Sequence, residues 1–163
     1  MALTHHYLRA SNAAAAAQLI ATTLLTTNRK DYTADYLAAT IAKLQPEDLV
    51  DKATWTHFYV FYEGTELVGT GAIGSYWGKA DEASLFDIFV SPEYQGKGIG
   101  RAIVTTLEQD AFFKTAKRVE IPASITALGF YEKLGYRPKN HQTRPDNEQL
   151  FRLEKFTTTS PES

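Results

Sequence analysis

The sequence contains no cysteine. A cysteine nucleophile, a thiolate metal site and structural disulfides are therefore excluded, and the cellular compartment is left open. An excess of one charge is also missing: 17 basic residues stand against 19 acidic ones, for a net charge of −2. That balance has neither the footprint of a nucleic-acid-binding protein nor a polybasic membrane anchor. Long hydrophobic runs are absent too. Ala13–Leu25 is apolar in part, but Gln18, Thr22 and Thr23 interrupt it. No membrane span and no secretory signal are expected, so the protein is expected to be soluble and cytoplasmic. His5, His6, His57 and His141 are dispersed without metal-ligand spacing, and no metal is expected.

What remains is ordinary globular material. The 163 residues, 44% hydrophobic and 22% charged, can bury a core without a staple. With no repeat and no linker, the reading is one domain over residues 1–156 and a polar, frayed tail over 157–163. Leu3–Arg9 alternates weakly and reads as a strand. Ser11 or Asn12 can cap a helix carried to about Leu25 by an alanine run. Thr33–Leu44 has helical spacing, and Pro46 can open a further turn. Thr56–Tyr62 and Leu67–Trp77, joined at Glu63-Gly64, read as a hairpin, and Ala83–Val90 as the next strand. Ile99–Ala116 reads as one long helix on Ile99, Ile103, Leu107, Ala111 and Phe112. Arg118–Ala123 is a strand, Ile125–Leu134 a helix closed by Gly135, and the segment from Tyr136 with Gln149–Phe156 a closing strand pair. The class is mixed α/β (α+β), a sandwich without the regular alternation of a doubly wound sheet.

Two glycine clusters compete for attention. Gly69-Thr-Gly71-Ala-Ile-Gly74 matches G-x-G-x-x-G literally. A dinucleotide site needs a helix opening inside that motif, whereas this one lies within a strand, so it reads as a bulge or a close-packing site. The second cluster, Gln95-Gly96-Lys97-Gly98-Ile99-Gly100-Arg101, follows a bulky strand and opens a helix. Unpaired N–H groups at a helix start suit phosphate oxygens, and glycines let the backbone approach them. No Ser or Thr follows Lys97, so the loop is not a Walker A motif.

Phe89-Val90-Ser91-Pro92-Glu93-Tyr94-Gln95-Gly96-Lys97-Gly98-Ile99-Gly100 resembles the Q/R-x-x-G-x-G/A cofactor motif of the GNAT superfamily of acyl-CoA N-acyltransferases. Downstream, Ala127-Leu-Gly-Phe130-Tyr131-Glu132-Lys133-Leu134-Gly135-Tyr136 resembles the family's A-x-x-F-Y-x-K-x-G-F element. The element order fits residues 3–156. The resemblance implies a mostly antiparallel central sheet, splayed at the cofactor site and flanked by helices. It implies acetyl-CoA as donor, with its pyrophosphate on the amides of Gln95, Gly96, Lys97, Gly98, Ile99, Gly100 and Arg101. Its pantetheine arm would pair with the main chain of Phe89 and Val90, between Ala83–Val90 and Arg118–Ala123.

The implied reaction is N-acetylation of a primary amine, in a small molecule or a peptide, by direct attack in a ternary complex. The lack of cysteine agrees with it. By resemblance Tyr131 is the general acid. For the base, Asp87 is the first candidate, since a carboxylate in so apolar a strand needs a partner or a task. The family's polyamine enzymes have Glu-Asp here, where this chain has Phe86-Asp87. Glu120 is the second candidate, Glu82 a third that reads better as a surface charge, and a water relay is the alternative to all of them. Ser124 stands where many relatives have an Asn that contacts the pantetheine; it can also cap the following helix. Tyr32, Tyr36, Tyr76 and Trp77 are candidates for the acceptor pocket. Two other functions fit the same residues: an acyl-CoA-sensing module without turnover, and an interaction domain with a vestigial loop. The acceptor and the oligomeric state are not legible, though dimers are common in the family.

Overall fold

Seven strands form one sheet in the order β1-β2-β3-β4-β5-β7-β6 in a computed structural model that describes residues 3–157. In chain order the elements are β1 (Leu3–Tyr7), α1 (Ala10–Thr26), α2 (Ala34–Ala42), α3 (Pro46–Lys52), β2 (Thr56–Glu63), β3 (Glu66–Ser75), β4 (Glu82–Val90), α4 (Ile99–Glu108), α5 (Ala111–Thr115), β5 (Arg118–Ser124), α6 (Leu128–Lys133), β6 (Arg137–Pro138) and β7 (Leu150–Phe156). All neighbouring strands are antiparallel except β4 and β5, which run parallel. This is the expected mixed α/β architecture. Among the described residues no helix is long and apolar enough to cross a membrane. Of the expected frayed tail over 157–163, residues 158–163 lie outside the described residues, and Thr157 is held by its N–H on the Lys117 carbonyl at 3.0 Å.

Two cores sit on the two faces of the sheet. On one, α1, α2 and α3 cover Phe58, Val60 and Ala72; on the other, α4 and α6 cover Phe61, Ile73, Leu85 and Ile121. Helix α4 lies close to β3 because Gly69 and Gly71 have no side chains. A Cβ on either would stand 2.7 or 2.6 Å from Ile103 carbon atoms. The first glycine cluster is thus a packing groove inside a strand, as its context indicated.

Helix boundaries differ from expectation most at α1, at the segment over 99–116 and at α6. Helix α1 starts at Ala10, so Ser11 and Asn12 lie inside it, and Asn12 Oδ1 accepts the Arg9 N–H at 2.8 Å. The expected helix over 99–116 is two helices, broken at Asp110, whose carboxylate accepts the Phe112 N–H at 2.8 Å and caps α5. The apolar periodicity runs across this break and conceals it. Helix α6 begins only at Leu128, after a turn from Ser124.

The feature that makes a site is a β-bulge. Thr70 pairs with Phe89 and Ala72 with Phe86, so Asp87 and Ile88 of β4 together face Gly71 of β3. Asp87 takes a left-handed φ of 51°, and its carbonyl accepts the Thr70 hydroxyl at 2.8 Å. The extra residue reverses the alternation: Ala83 and Leu85 face α4 before the bulge, Ile88 and Val90 after it. Strand β4 bends away, and its pairing with β5 ends after Ser84–Glu120.

Candidate functional site

Beyond that last rung the two strands part and leave a cavity of about 670 Å³ that reaches both faces of the sheet. Thr23, Thr27, Tyr32, Tyr36, Leu37 and Lys52 line it from the α1–α3 side. Ile99, Phe130 and Tyr131 line it from the α4–α6 side, and residues 85–90 and 121–124 form its edges.

One end is the glycine turn. After a 3-10 turn at Pro92–Tyr94, Gly96 and Gly98 take φ of 78° and 84°, and Gly98 is the N-cap of α4. No atom lies within 4 Å of a Cβ built on either, so the main chain is open to a ligand. Gly100 instead accommodates the Phe130 ring, 3.1 Å from its would-be Cβ, which fastens the turn to α6. Gln95 braces the turn: its Nε2 donates to Thr27 Oγ1 at 2.8 Å and to the Val90 carbonyl at 3.2 Å. Arg101 lines the cavity and has no side-chain hydrogen bond or ion pair among the described residues. Lys97 does not line it; its ammonium stands 5.1 Å from the Tyr94 ring centre. Gly98→Ala meets no atom, so its cost is conformational, about 1–2 kcal/mol. We expect a melting point roughly 2–8 °C lower and coenzyme A binding weakened by about tenfold in calorimetry. Unchanged binding would remove the turn as the phosphate grip.

Along β4, the Ser91 N–H bonds the Val68 carbonyl at 2.9 Å. Antiparallel alternation then turns the peptide groups of Phe89 toward β3 and those of Val90 toward the cavity. The expectation that both residues offer main-chain groups to a ligand is corrected to Val90. Its carbonyl already receives Gln95 and, at 3.3 Å, Thr23 Oγ1, which leaves its N–H facing the opening.

Tyr131 is 4% exposed, and its hydroxyl has no hydrogen-bond partner among the described residues. Burial raises its pKa far above the usual tyrosine range. The phenol therefore keeps its proton at every ordinary pH. Asp87 lies on the cavity wall with Oδ2 2.6 Å from Lys52 Nζ. Lys52 ends α3, where its carbonyl accepts the Thr56 hydroxyl at 2.8 Å, and its Nζ also stands 5.4 Å from the Phe86 ring centre. Sequence reasoning missed Lys52 because no motif surrounds it.

Glu120 does not reach the cavity. It sits at the last paired rung, opposite Ser84, where its carboxylate is taken up by Arg118 and by Lys139 at 3.1 Å. Glu82 binds Arg118 at 3.1 Å in the same charged cluster. Tyr76 packs against Arg118 and Lys139, and Trp77 is 85% exposed; neither lines the cavity. Tyr32 and Tyr36 do line it, stacked with centroids 4.6 Å apart. The Tyr32 hydroxyl accepts the Ile125 N–H at 2.8 Å and donates to the Gln149 carbonyl at 2.7 Å, tying the α1–α2 connection across the opening. Ser124 lines the cavity, and its Oγ accepts the Ala127 N–H at 3.1 Å, so capping and cavity exposure coexist.

A sheet parted between parallel neighbours, with an anion-ready turn at one end and a buried phenol beside the gap, defines an acyl-coenzyme A transferase. The chain belongs to the acetyltransferase (GNAT) family, whose profile matches residues 21–136, and its acetyl donor is acetyl-CoA. A glucosamine 6-phosphate N-acetyltransferase of Schizosaccharomyces pombe is 29% identical over 107 residues, 66% of this chain and 84% of that protein. Its counterpart from Trypanosoma brucei brucei is 38% identical over 60 residues, 37% of this chain and 41% of that one. In three dimensions the chain is similar to the PaiA N-acetyltransferase from Thermoplasma acidophilum in complex with coenzyme A. The TM-score is 0.82 at 18% identity, covering 96% of this chain and 100% of the other.

Proposed function

We propose that the chain acetylates a primary amine by direct attack in a ternary complex, with Tyr131 as general acid and Asp87 as the group that receives the amine. The observation that carries this reading is the Tyr131 hydroxyl, buried, protonated and without a protein partner at the edge of the cavity. Buried hydroxyls are nearly always paired, so this one is kept for a partner that arrives with substrate.

The residues present fit the donor. The open main chain at Gly96 and Gly98, the start of α4 and Arg101 would hold the pyrophosphate. The Val90 N–H would pair with the pantetheine arm, and Ser124 lies on the facing edge. Acetyl-CoA supplies a thioester whose carbonyl carbon accepts the amine. Asp87 takes one proton from the ammonium and passes it to solvent. As the N–C bond forms and the C–S bond breaks, Tyr131 gives its proton to sulfur and regains one from the acetylated nitrogen. One proton is released per turnover. Asp87 approaches from the α1–α3 side and Tyr131 from the other face. The parted strands let an acid and a base line one cavity from opposite faces of the sheet.

The test is release of free coenzyme A on mixing the chain with acetyl-CoA and a panel of primary amines. Release that depends on an amine is expected. Binding of acetyl-CoA without release across the panel would favour the sensing module instead.

A further inference from the structure

Among the described residues, three charged side chains line the cavity: Lys52, Asp87 and Arg101. Arg101 belongs to the turn that grips phosphate. Asp87 lies three residues upstream of Val90, about 10 Å along the strand at ~3.3 Å per residue. The far end of the cavity therefore holds one cation and one anion, in contact at 2.6 Å. Phe86 packs beside Lys52, and the cavity lining on the α1–α3 side includes Tyr36, Leu37 and Leu44 with Thr40 as a neutral polar neighbour. The bulge creates this pair, because it lets Phe86 and Asp87 both meet Lys52, where a regular strand would send them to opposite faces.

Resting on the acetyl-transfer reading, we propose that the acceptor is an α-amino acid with an apolar or aromatic side chain, its carboxylate held by Lys52 and its amine by Asp87. The reason is charge balance in a confined, largely apolar space. A guest that parts Lys52 from Asp87 must give each a new partner, because an unpaired charge there is costly. A simple cationic amine would leave two cations against one anion. A phosphate dianion on an amine would leave the reverse excess. A zwitterion with a single carboxylate satisfies both groups and keeps the end neutral.

The same balance sorts product from substrate. Acetylation converts the ammonium to a neutral amide and leaves the carboxylate. Asp87, once it has passed its proton to solvent, has lost its partner and draws Lys52 back. The carboxylate of the product is released as the pair re-forms.

The test compares kcat/KM for phenylalanine, its methyl ester, phenethylamine and glucosamine 6-phosphate. Phenylalanine is expected to lead the ester and phenethylamine by roughly ten- to hundredfold, the worth of a charge-assisted hydrogen bond. Lys52→Met should bring that ratio near one, and Lys52→Arg should retain most of it. Phenethylamine as good as phenylalanine, a preference for the sugar phosphate, or a ratio unmoved by Lys52→Met would each overturn the proposal. Absence of turnover with every amine would count against acetyl transfer itself. Calorimetric titration of phenylalanine into the chain with coenzyme A then decides: binding lost in Lys52→Met supports the proposal, and no binding to the parent chain overturns it.

Discussion

Tyr131→Phe is expected to fold as well as the parent chain and to lose roughly 10²–10⁴-fold in kcat, with little change in KM for acetyl-CoA. The ring is part of a core that includes Tyr136 and Phe151, and phenylalanine keeps that packing. The hydroxyl contributes nothing to stability that the described residues reveal; an unpaired buried hydroxyl costs about 1–3 kcal/mol. The variant should therefore melt at the parent temperature or a few degrees above it. Because burial raises the pKa, the phenol stays protonated through neutral and mildly alkaline pH. A loss of rate there cannot be assigned to ionisation of Tyr131. The sulfur leaves as a thiolate and needs a proton, so removing the donor slows the bond-breaking step while binding is preserved. Steady-state thiol release measures this without background, since the chain has no cysteine. Turnover within about threefold of the parent would remove Tyr131 from the acid role.

The largest loss of stability is expected from Asp110→Ala, far from the cavity. The Asp110 side chain is 2% exposed and serves three groups. It accepts the Phe112 N–H at 2.8 Å, lies 2.8 Å from His57 Nδ1, and accepts the Tyr59 hydroxyl. Removing it deletes a helix cap, worth about 1 kcal/mol. It also takes the carboxylate acceptor away from the buried Tyr59 hydroxyl, for a further cost of about 1–3 kcal/mol. The sum, about 2–4 kcal/mol, corresponds to a melting point lower by roughly 4–16 °C for a chain of this length. Adding Tyr59→Phe to Asp110→Ala should recover part of the loss, because no buried hydroxyl then lacks its carboxylate acceptor. Calorimetry of the single and double variants measures the coupling. A single variant that melts within about 1 °C of the parent would show that water replaces the carboxylate at no cost. Coenzyme A affinity should be unaffected, since Asp110 does not line the cavity.

Residues adjacent in sequence carried most of the legible function. The turn from Gln95 to Arg101 and the Phe130-Tyr131 pair were readable because each depends on a local pattern: a strand end, glycines at positive φ, a helix start, a short helix closed by glycine. The decoy at Gly69 was readable for the same reason, since the absence of a following helix is also local. Long-range pairing was not. Glu120 and Asp87 both sit on strands that flank the cavity, and nothing in their neighbours states where pairing stops. Glu120 occupies the last rung before the strands part, and its charge is absorbed by Arg118 and Lys139. Asp87 occupies the bulge, and its face is decided by an unequal residue count against β3.

By itself the sequence determined the class of fold, the donor and the candidate acid, because each is written in motifs shorter than about ten residues. The tertiary structure alone decided that Lys52 stands against Asp87, that the peptide groups of Val90 and not those of Phe89 face the opening, and that Asp110 divides a helix the periodicity had joined. Those facts depend on strand register and on contacts between residues distant in the chain. A single-residue slip in register exchanges the faces of a strand, and no local preference for helix or strand encodes which register is taken.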